Sequence, residues 1–294
     1  MQTLQNCSIC NSPLQVPFLE CKDFTVSRET FKIVACGKCG FRYTNPRPEE
    51  EKLGAYYESE DYISHSNTTK GIINRLYQSV RKITIRRKVK LIGALAQKGE
   101  VLDIGCGTGE FLIACKTSGW NTIGIEPSNQ AREYAQTQFN LSVYDQEMIK
   151  ELKDHSFDII TMWHVLEHVP RLNERIDELK RLLKQSGTII VAVPNCSSFD
   201  AKKYGKFWAA YDVPRHLYHF QPANIEQLFG RYGMKVIKTL PMKFDSFYVS
   251  LLSEKYKFGK PNLFRAIWVG MLSNILGAFG KNIYSSQIYI IRKT

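Results

Sequence analysis

The sequence predicts an α/β fold: an open, mostly parallel sheet with helices on both faces, preceded by a small cysteine-bearing module. Three observations predict it. From about residue 98, short apolar runs alternate with segments of helical period, the order of a parallel sheet wound by crossover helices. One run, Val101-Leu102-Asp103-Ile104, breaks into Gly105, Gly107 and Gly109 and passes at once into a helical pattern. Such a turn lets backbone approach a ligand closely at the end of a strand. Two Cys-x-x-Cys pairs stand apart from this pattern, near the N-terminus.

Residues 1–45 hold those pairs, Cys7/Cys10 and Cys36/Cys39, with 25 residues between them. Four thiolates at this spacing make a closed tetrahedral zinc site, which stabilises a fold rather than catalysing a reaction. Cys36-Gly37-Lys38-Cys39-Gly40 has the glycines that such a knuckle wants. Cys21 reads as a bystander. Asn45-Pro46-Arg47-Pro48 punctuates the end of the module. Residues 46–97 read as a polar, tyrosine-rich connector to about 69, then a basic amphipathic helix over Gly71–Ala96. Its apolar positions Ile72, Leu76, Val80, Ile83, Val89, Ile92 and Leu95 recur at helical spacing. Strands are predicted at 100–104, 121–126, 141–144, 157–162, 188–193, 235–240 and 286–292, and helices near 109–118, 128–139, 172–184 and 222–232. Residues 98–294 thus form the main domain, with an apolar insertion at about 241–285 before the last strand.

The glycine turn limits the ligand. A dinucleotide fingerprint needs a glycine where this chain has Glu110, and that acid would face a pyrophosphate unfavourably. A zwitterion with an amino group suits Asp103 better. The second strand, Asn121–Ile125, ends at Glu126, an acid placed for the two hydroxyls of a ribose. Asp103, the three glycines and Glu126 in this register resemble motif I and the second strand of class I S-adenosylmethionine-dependent methyltransferases. The resemblance covers about residues 98–240 and the last strand. It implies a Rossmann-like seven-stranded sheet whose last strand, around Gln287–Ile291, inserts antiparallel. It also implies a cofactor site of Asp103, Gly105, Cys106, Gly107, Gly109, Glu126, Pro127, Asp145, Met162 and Trp163. The N-terminal module resembles the zinc ribbons that precede such cores in an rRNA guanine methyltransferase family and in deoxysugar C-methyltransferases.

Acceptor chemistry should lie beyond the fourth strand. Amine-methylating relatives carry Asn/Asp-Pro-Pro-Tyr/Phe there, whereas this chain has Trp163-His164-Val165-Leu166-Glu167-His168. That argues against a base amine as acceptor and looks like small-molecule O- and C-methyltransferases, including ubiquinone-pathway enzymes. His164, Glu167 and His168 share one face if helical, as a base with its orienting carboxylate, a divalent-metal site or a brace for the loop. Ubiquinone O-methyltransferases carry acid, acid and histidine at these places and bind magnesium; His164 in place of an acid weakens that reading. Trp208–Phe220, with His216 and His219 among aromatics, suits a lid that supplies a base and resembles the Asp-x-Pro-Arg-His-x-x-x-Phe pattern of small-molecule methyltransferases with such a ribbon. In sugar C-methyltransferases a histidine from a comparable region assists proton removal; a packed aromatic loop is the rival. The candidate bases are therefore His164, His216 and His219.

Charge and composition bound the partners. Of a net +12, residues 70–98 contribute nine Lys/Arg and no acid, and residues 241–294 contribute eight Lys/Arg against Asp245 and Glu254. Concentrated positive charge favours an anionic partner or a solvated face. The apolar stretch Leu263–Phe279, short for a membrane span, suits a membrane interface, a pocket cap, a dimer contact or a packed helix. Met1–Cys7 has neither a basic start nor an apolar run, so a cytoplasmic enzyme is expected, peripheral to the inner membrane face if the apolar stretch meets lipid. The sequence reading is methyl transfer to oxygen or carbon of a small molecule, lipid-linked, isoprenoid-like or phosphorylated. An RNA methyltransferase that grips its substrate with the ribbon and basic helix is the alternative, and the missing amine motif speaks against nucleic acid. The acceptor atom and the oligomeric state stay open.

Overall fold

The chain begins with three antiparallel strands, β1 (Gln15–Lys22), β2 (Thr30–Cys36) and β3 (Arg42–Thr44). Helix α1 (Ile72–Leu95) leads into β4 (Glu100–Ile104), α2 (Glu110–Thr117), β5 (Asn121–Ile125), α3 (Asn129–Phe139) and β6 (Ser142–Tyr144). A short α4 (Met148–Glu151) precedes β7 (Phe157–Trp163), α5 (Leu172–Leu182), β8 (Leu183–Pro194) and α6 (Phe199–Tyr204). Then come β9 (Tyr218–His219), α7 (Pro222–Gly230), β10 (Met234–Pro241), α8 (Asp245–Phe258), α9 (Leu263–Phe279) and β11 (Ser286–Lys293). This computed structural model describes residues 1–57, 72–280 and 283–294; the connector assigned to 46–69 lies partly outside the described residues.

Seven strands form the central sheet in the order β6-β5-β4-β7-β8-β11-β10. The first five run parallel, and β11 pairs antiparallel with both β8 and β10, as the resemblance implied. β8 shows why the centre holds: Thr188–Val193 are wholly buried, the apolar run of a strand covered on both faces. Helix α5 presents Leu172, Ile176, Leu179 and Leu182 as one buried stripe to the same core. β8 starts earlier than its apolar run predicts, because Leu183 already pairs with Phe157. That pairing ends α5 at Leu182.

The N-terminal sheet is completed from far along the chain. β3 pairs with β9, so the fourth strand of the ribbon comes from the predicted lid. Ile9, Phe41 and Tyr43 of the ribbon belong to the same buried cluster as Leu102, Met162 and Val191 of the main sheet. Arg42 donates to the Cys196 carbonyl (3.2 Å), Arg47 to the Tyr218 hydroxyl (3.0 Å), and Arg231 to the Ser8 and Ile9 carbonyls. The module is therefore built into the body of the enzyme.

Candidate active site

The four ribbon thiols converge. Cys7 and Cys39 Sγ lie 3.6 Å apart, Cys10 and Cys36 Sγ 3.4 Å, and all four lie within 4.8 Å of one another. A tetrahedral ion with bonds near 2.3 Å sets its sulfurs about 3.8 Å apart, so the residues fit zinc. Burial alone would raise the Cys36 thiol, but the backbone N–H groups of Cys39 and Lys38 bring it down to about 7. Cys21, on β1, stands outside the cluster, in a buried group with Tyr204, Trp208 and Tyr211.

The predicted cofactor residues gather at the C-terminal edge of β4, β5, β6 and β7. Gly105 and Gly107 take left-handed backbone, with φ of 74° and 55°. A Cβ on Gly105 would come 2.3 Å from Val165, whereas one on Gly107 would meet nothing within 4 Å. The turn is thus tight on the protein side and open on the other. Glu126 accepts from Gly107 N–H (2.8 Å) and Ser128 N–H (2.9 Å), which fixes its carboxylate and leaves a lone pair on each oxygen for a ligand hydroxyl. Asp103 accepts from the Thr161 hydroxyl at 2.5 Å and is almost wholly buried. Burial pushes its carboxyl up to about 7. A buried acid of this kind fits a ligand that brings an ammonium.

Helix α1 covers this turn, which periodicity could not show. Arg81 pairs with Glu110 at 2.7 Å, and Lys88 lies 4.1 Å over the Trp163 ring. Burial lowers the Lys88 ammonium to about 8, against the pull of Asp103 and Asp245. Trp163 meets Phe111 edge-on, so it faces the covered side of the sheet. Met162 points the other way and is fully buried in the main core, so its side chain packs rather than lines the cleft. Asp145 follows β6, exposed, and accepts from Glu147 N–H at 3.0 Å. Cys106 and Pro127 sit in the two turns that carry the glycines and Glu126.

Beyond β7 the chain turns through His164, whose φ is +57°, into a short 3-10 turn at Leu166–His168. His164 lies between two acids: Nε2 is 3.0 Å from Asp245 Oδ2, and Nδ1 is 3.4 Å from Glu167 Oε1. Burial works against its charge, but Asp245 and Glu167 overcome it and raise the imidazole to about 10. A histidine already protonated at neutral pH cannot accept a proton, which argues against His164 as the base. Asp245, at the start of α8, was invisible as its partner because 80 residues separate the two.

Glu167, His168 and His216 each place a ligand atom within 4.8 Å of the others. Both Glu167 oxygens are buried and lack a hydrogen bond, the 3.4 Å approach of His164 being too long for a good one. His216 Nδ1 sits 2.8 Å from the Ala210 carbonyl, which assigns its proton to Nδ1 and leaves the lone pair on Nε2. That nitrogen lies 4.0 Å from Asp212 Oδ2. His168 Nδ1 lies 2.9 Å from the Tyr57 hydroxyl and 3.1 Å from the Arg215 carbonyl, and its ring meets His216 edge-on. Burial and the neighbouring His216 hold it at about 4. His219 is elsewhere in role. Its Nε2 meets Thr44 Oγ1 at 3.1 Å, its ring packs edge-on against Tyr211, and burial depresses it well below the ordinary range. It joins lid to ribbon, and its surroundings argue against proton transfer.

A family profile described as a methyltransferase domain matches residues 77–239, more than half of the chain. The chain therefore belongs to the S-adenosylmethionine-dependent methyltransferases. It is 35% identical over 107 residues to a ubiquinone biosynthesis O-methyltransferase of Glaesserella parasuis serovar 5 (strain SH0165), covering 33% of this chain and 45% of that one. That match spans about half the length of the relative. A ubiquinone biosynthesis O-methyltransferase of Rickettsia bellii (strain OSU 85-389) is 30% identical over 236 residues, covering 75% of this chain and 95% of that one. A solved magnesium protoporphyrin IX methyltransferase from Synechocystis PCC 6803 with bound SAH shares the fold, at 14% identity and a TM-score of 0.56 over 83% of this chain and 100% of that one.

Proposed function

We propose that this enzyme methylates an oxygen or carbon nucleophile of a small molecule, with His216 as the proton acceptor. One observation carries the reading: His216 is locked onto the Ala210 carbonyl with its bare Nε2 4.0 Å from Asp212 Oδ2, and its ring stands beside Glu167 and His168. Both acids are held below their usual range. For Glu167, burial opposes this and His164 enforces it; for Asp212, burial opposes it and Arg215 enforces it. Two carboxylates kept ionised beside an imidazole stabilise the imidazolium formed when it takes a proton. S-adenosylmethionine, when bound, supplies an electrophilic methyl carbon. Asp103 would hold its ammonium and Glu126 its ribose, the glycine turn approaching the rest. The remaining task of the protein is orientation: the Trp208–Phe220 segment closes over the acceptor side, and His164 braces α8 against that wall.

The names of the relatives and the greasy hairpin beside Asp245 support an isoprenoid-like or otherwise lipid-linked acceptor, with sugar phosphates the second class, and a cytoplasmic enzyme working against the inner membrane face. One structural zinc in the ribbon completes the reading. The unpartnered Glu167 oxygens favour a second possibility, a divalent cation on Glu167, His168 and His216 in place of base catalysis. An RNA acceptor is supported less, because the β3 edge of the ribbon is already paired with β9. His216→Gln should lose roughly 10²–10⁴-fold in turnover on a panel of phenolic, enolic and glycosyl acceptors, with S-adenosylhomocysteine affinity unchanged. Turnover at the wild-type rate would remove His216 from the mechanism. Rate recovery on adding manganese or magnesium to metal-stripped wild type would favour the cation instead.

A further inference from the structure

Helix α9 reverses the usual rule of burial. The residues it turns inward are small: Ala266, Val269, Gly270, Ser273 and Gly277 recur at helical spacing, and all are buried. They let α9 lie close on its neighbours, since a Cβ at Gly270 would stand 2.7 Å from Phe247. The large side chains point to solvent. Phe264 is 87% exposed, Trp268 64% and Phe279 88%, with Met271 and Ile275 between them on the same face. Phe244, Tyr248 and Phe258 of the adjoining α8 segment are exposed beside them. An exposed stripe of large apolar side chains along one face of a helix marks an interaction surface.

Charge identifies the partner. Between Pro241 and Gly280 the only acids are Asp245 and Glu254. Asp245 is taken by His164, and Glu254 is buried and accepts from the Tyr204 hydroxyl. The exposed charges of the hairpin are all positive: Lys243, Lys255, Lys257, Lys260 and Arg265. Along the same flank, Arg87 of α1 stacks over Phe244, and Arg86 and Lys90 are exposed nearby on that helix. A second copy meeting this face across a two-fold axis would oppose lysine to lysine. An anionic lipid surface answers both features, with apolar rings entering the acyl boundary and the basic rim meeting head groups. At 17 residues α9 is about 26 Å long, short of the ~30 Å hydrocarbon core. Among the described residues no helix is long and apolar enough to cross a membrane.

We infer that the α8–α9 hairpin is a docking surface that lies flat in the interface of an anionic bilayer. The same hairpin contributes Asp245 to His164, so docking sets the mouth of the acceptor site at the membrane. This deepens the lipid-linked reading of the acceptor and rests on it for its purpose, but its test does not use turnover. Full-length protein is sedimented with vesicles of phosphatidylcholine alone and of phosphatidylcholine mixed with phosphatidylglycerol. Binding is expected on the mixed vesicles, weakened by salt, and reduced roughly fivefold for each of Lys255, Lys257 and Lys260 changed to Gln. Phe264→Ser with Trp268→Ser should abolish it while S-adenosylhomocysteine affinity and melting temperature hold, since both side chains lie in solvent. Wild type that ignores mixed vesicles overturns the inference. So does a protein that light scattering shows to be a dimer which the double variant dissociates. Vesicle binding without methylation of any lipid-linked acceptor would sink the acceptor reading and leave the docking surface standing.

Discussion

The ribbon holds the lid, and Thr44 is the place to test it. This side chain is wholly buried, donates to the His216 carbonyl at 2.9 Å and meets His219 Nε2 at 3.1 Å. With its one proton given to the carbonyl, the hydroxyl must accept from Nε2–H, so His219 is neutral with a bare Nδ1, which indeed has no partner. Thr44→Val keeps the shape and removes both bonds. It leaves a buried carbonyl and a buried N–H to find other partners, each at about 1–3 kcal/mol, and a methyl recovers only part of this. A net loss of about 2–4 kcal/mol follows. At roughly 2 °C per kcal/mol for a chain of this size, melting should fall by about 4–8 °C. Affinity for S-adenosylhomocysteine should change less than twofold, because Thr44 touches no part of the glycine turn, whereas turnover should fall with the placement of His216. Thr44→Ser restores the hydroxyl and should restore most of both. The readouts are differential scanning fluorimetry, titration calorimetry and initial rates across the three proteins. A Thr44→Val protein that melts within about 1 °C of wild type would refute the coupling.

Three further outcomes are expected. Glu126→Ala should weaken S-adenosylhomocysteine binding by about 1.5–3 kcal/mol in calorimetry, since it removes the charged acceptor and frees the Gly107 and Ser128 N–H groups. Purified protein should carry about one zinc per chain by elemental analysis, and Cys36→Ser should lose zinc and thermal stability together. The third concerns pH. His164 rises from 6.5 to about 10 on folding, so its stabilisation is complete below about pH 6.5 and fades as pH climbs toward 10. Wild type should lose melting temperature across that window relative to His164→Gln, and parallel curves would show that the pairing with Asp245 does not form.

What the sequence made legible was local. Asp103, the glycines and Glu126 lie within 24 residues, and their spacing alone places them on two adjacent strand ends. The strand predictions held because each central strand is an apolar run bounded by turn residues. The acceptor side is different in kind. His164 owes its charge to Asp245, His216 owes its tautomer to a carbonyl six residues away, and His219 finds its ring partner in Thr44, across 175 residues. No period or spacing announces such pairs. In the sequence Lys88 is one of a run of cations suited to an anionic partner or a solvated face, although its turn of the helix carries it over Trp163. The apolar stretch of α9 was visible, but not its direction, because inward glycines and serines decide which way the large residues face.

These two kinds of information divide the enzyme. The residues proposed to hold the methyl donor lie close together in the chain, with α1 laid over them through Arg81 and Lys88. The proposed acceptor side draws on the ribbon, the turn after β7, the Trp208–Phe220 segment and the α8–α9 hairpin, which are joined by buried polar contacts. Arg215 shows the economy of this: one guanidinium binds Asp212 in the lid, Asp23 in the ribbon and the Tyr56 carbonyl. Asp200 does the same on the other side, accepting from Trp208 of the lid, Ser273 of α9 and Ser285 before β11. A fully buried acidic side chain with three donors is costly to disturb, because losing any donor leaves a polar atom unsatisfied. These contacts tie lid, ribbon and hairpin to one another. Changes of acceptor should therefore arise from the surfaces these elements turn toward the cleft, while the contacts between them stay fixed.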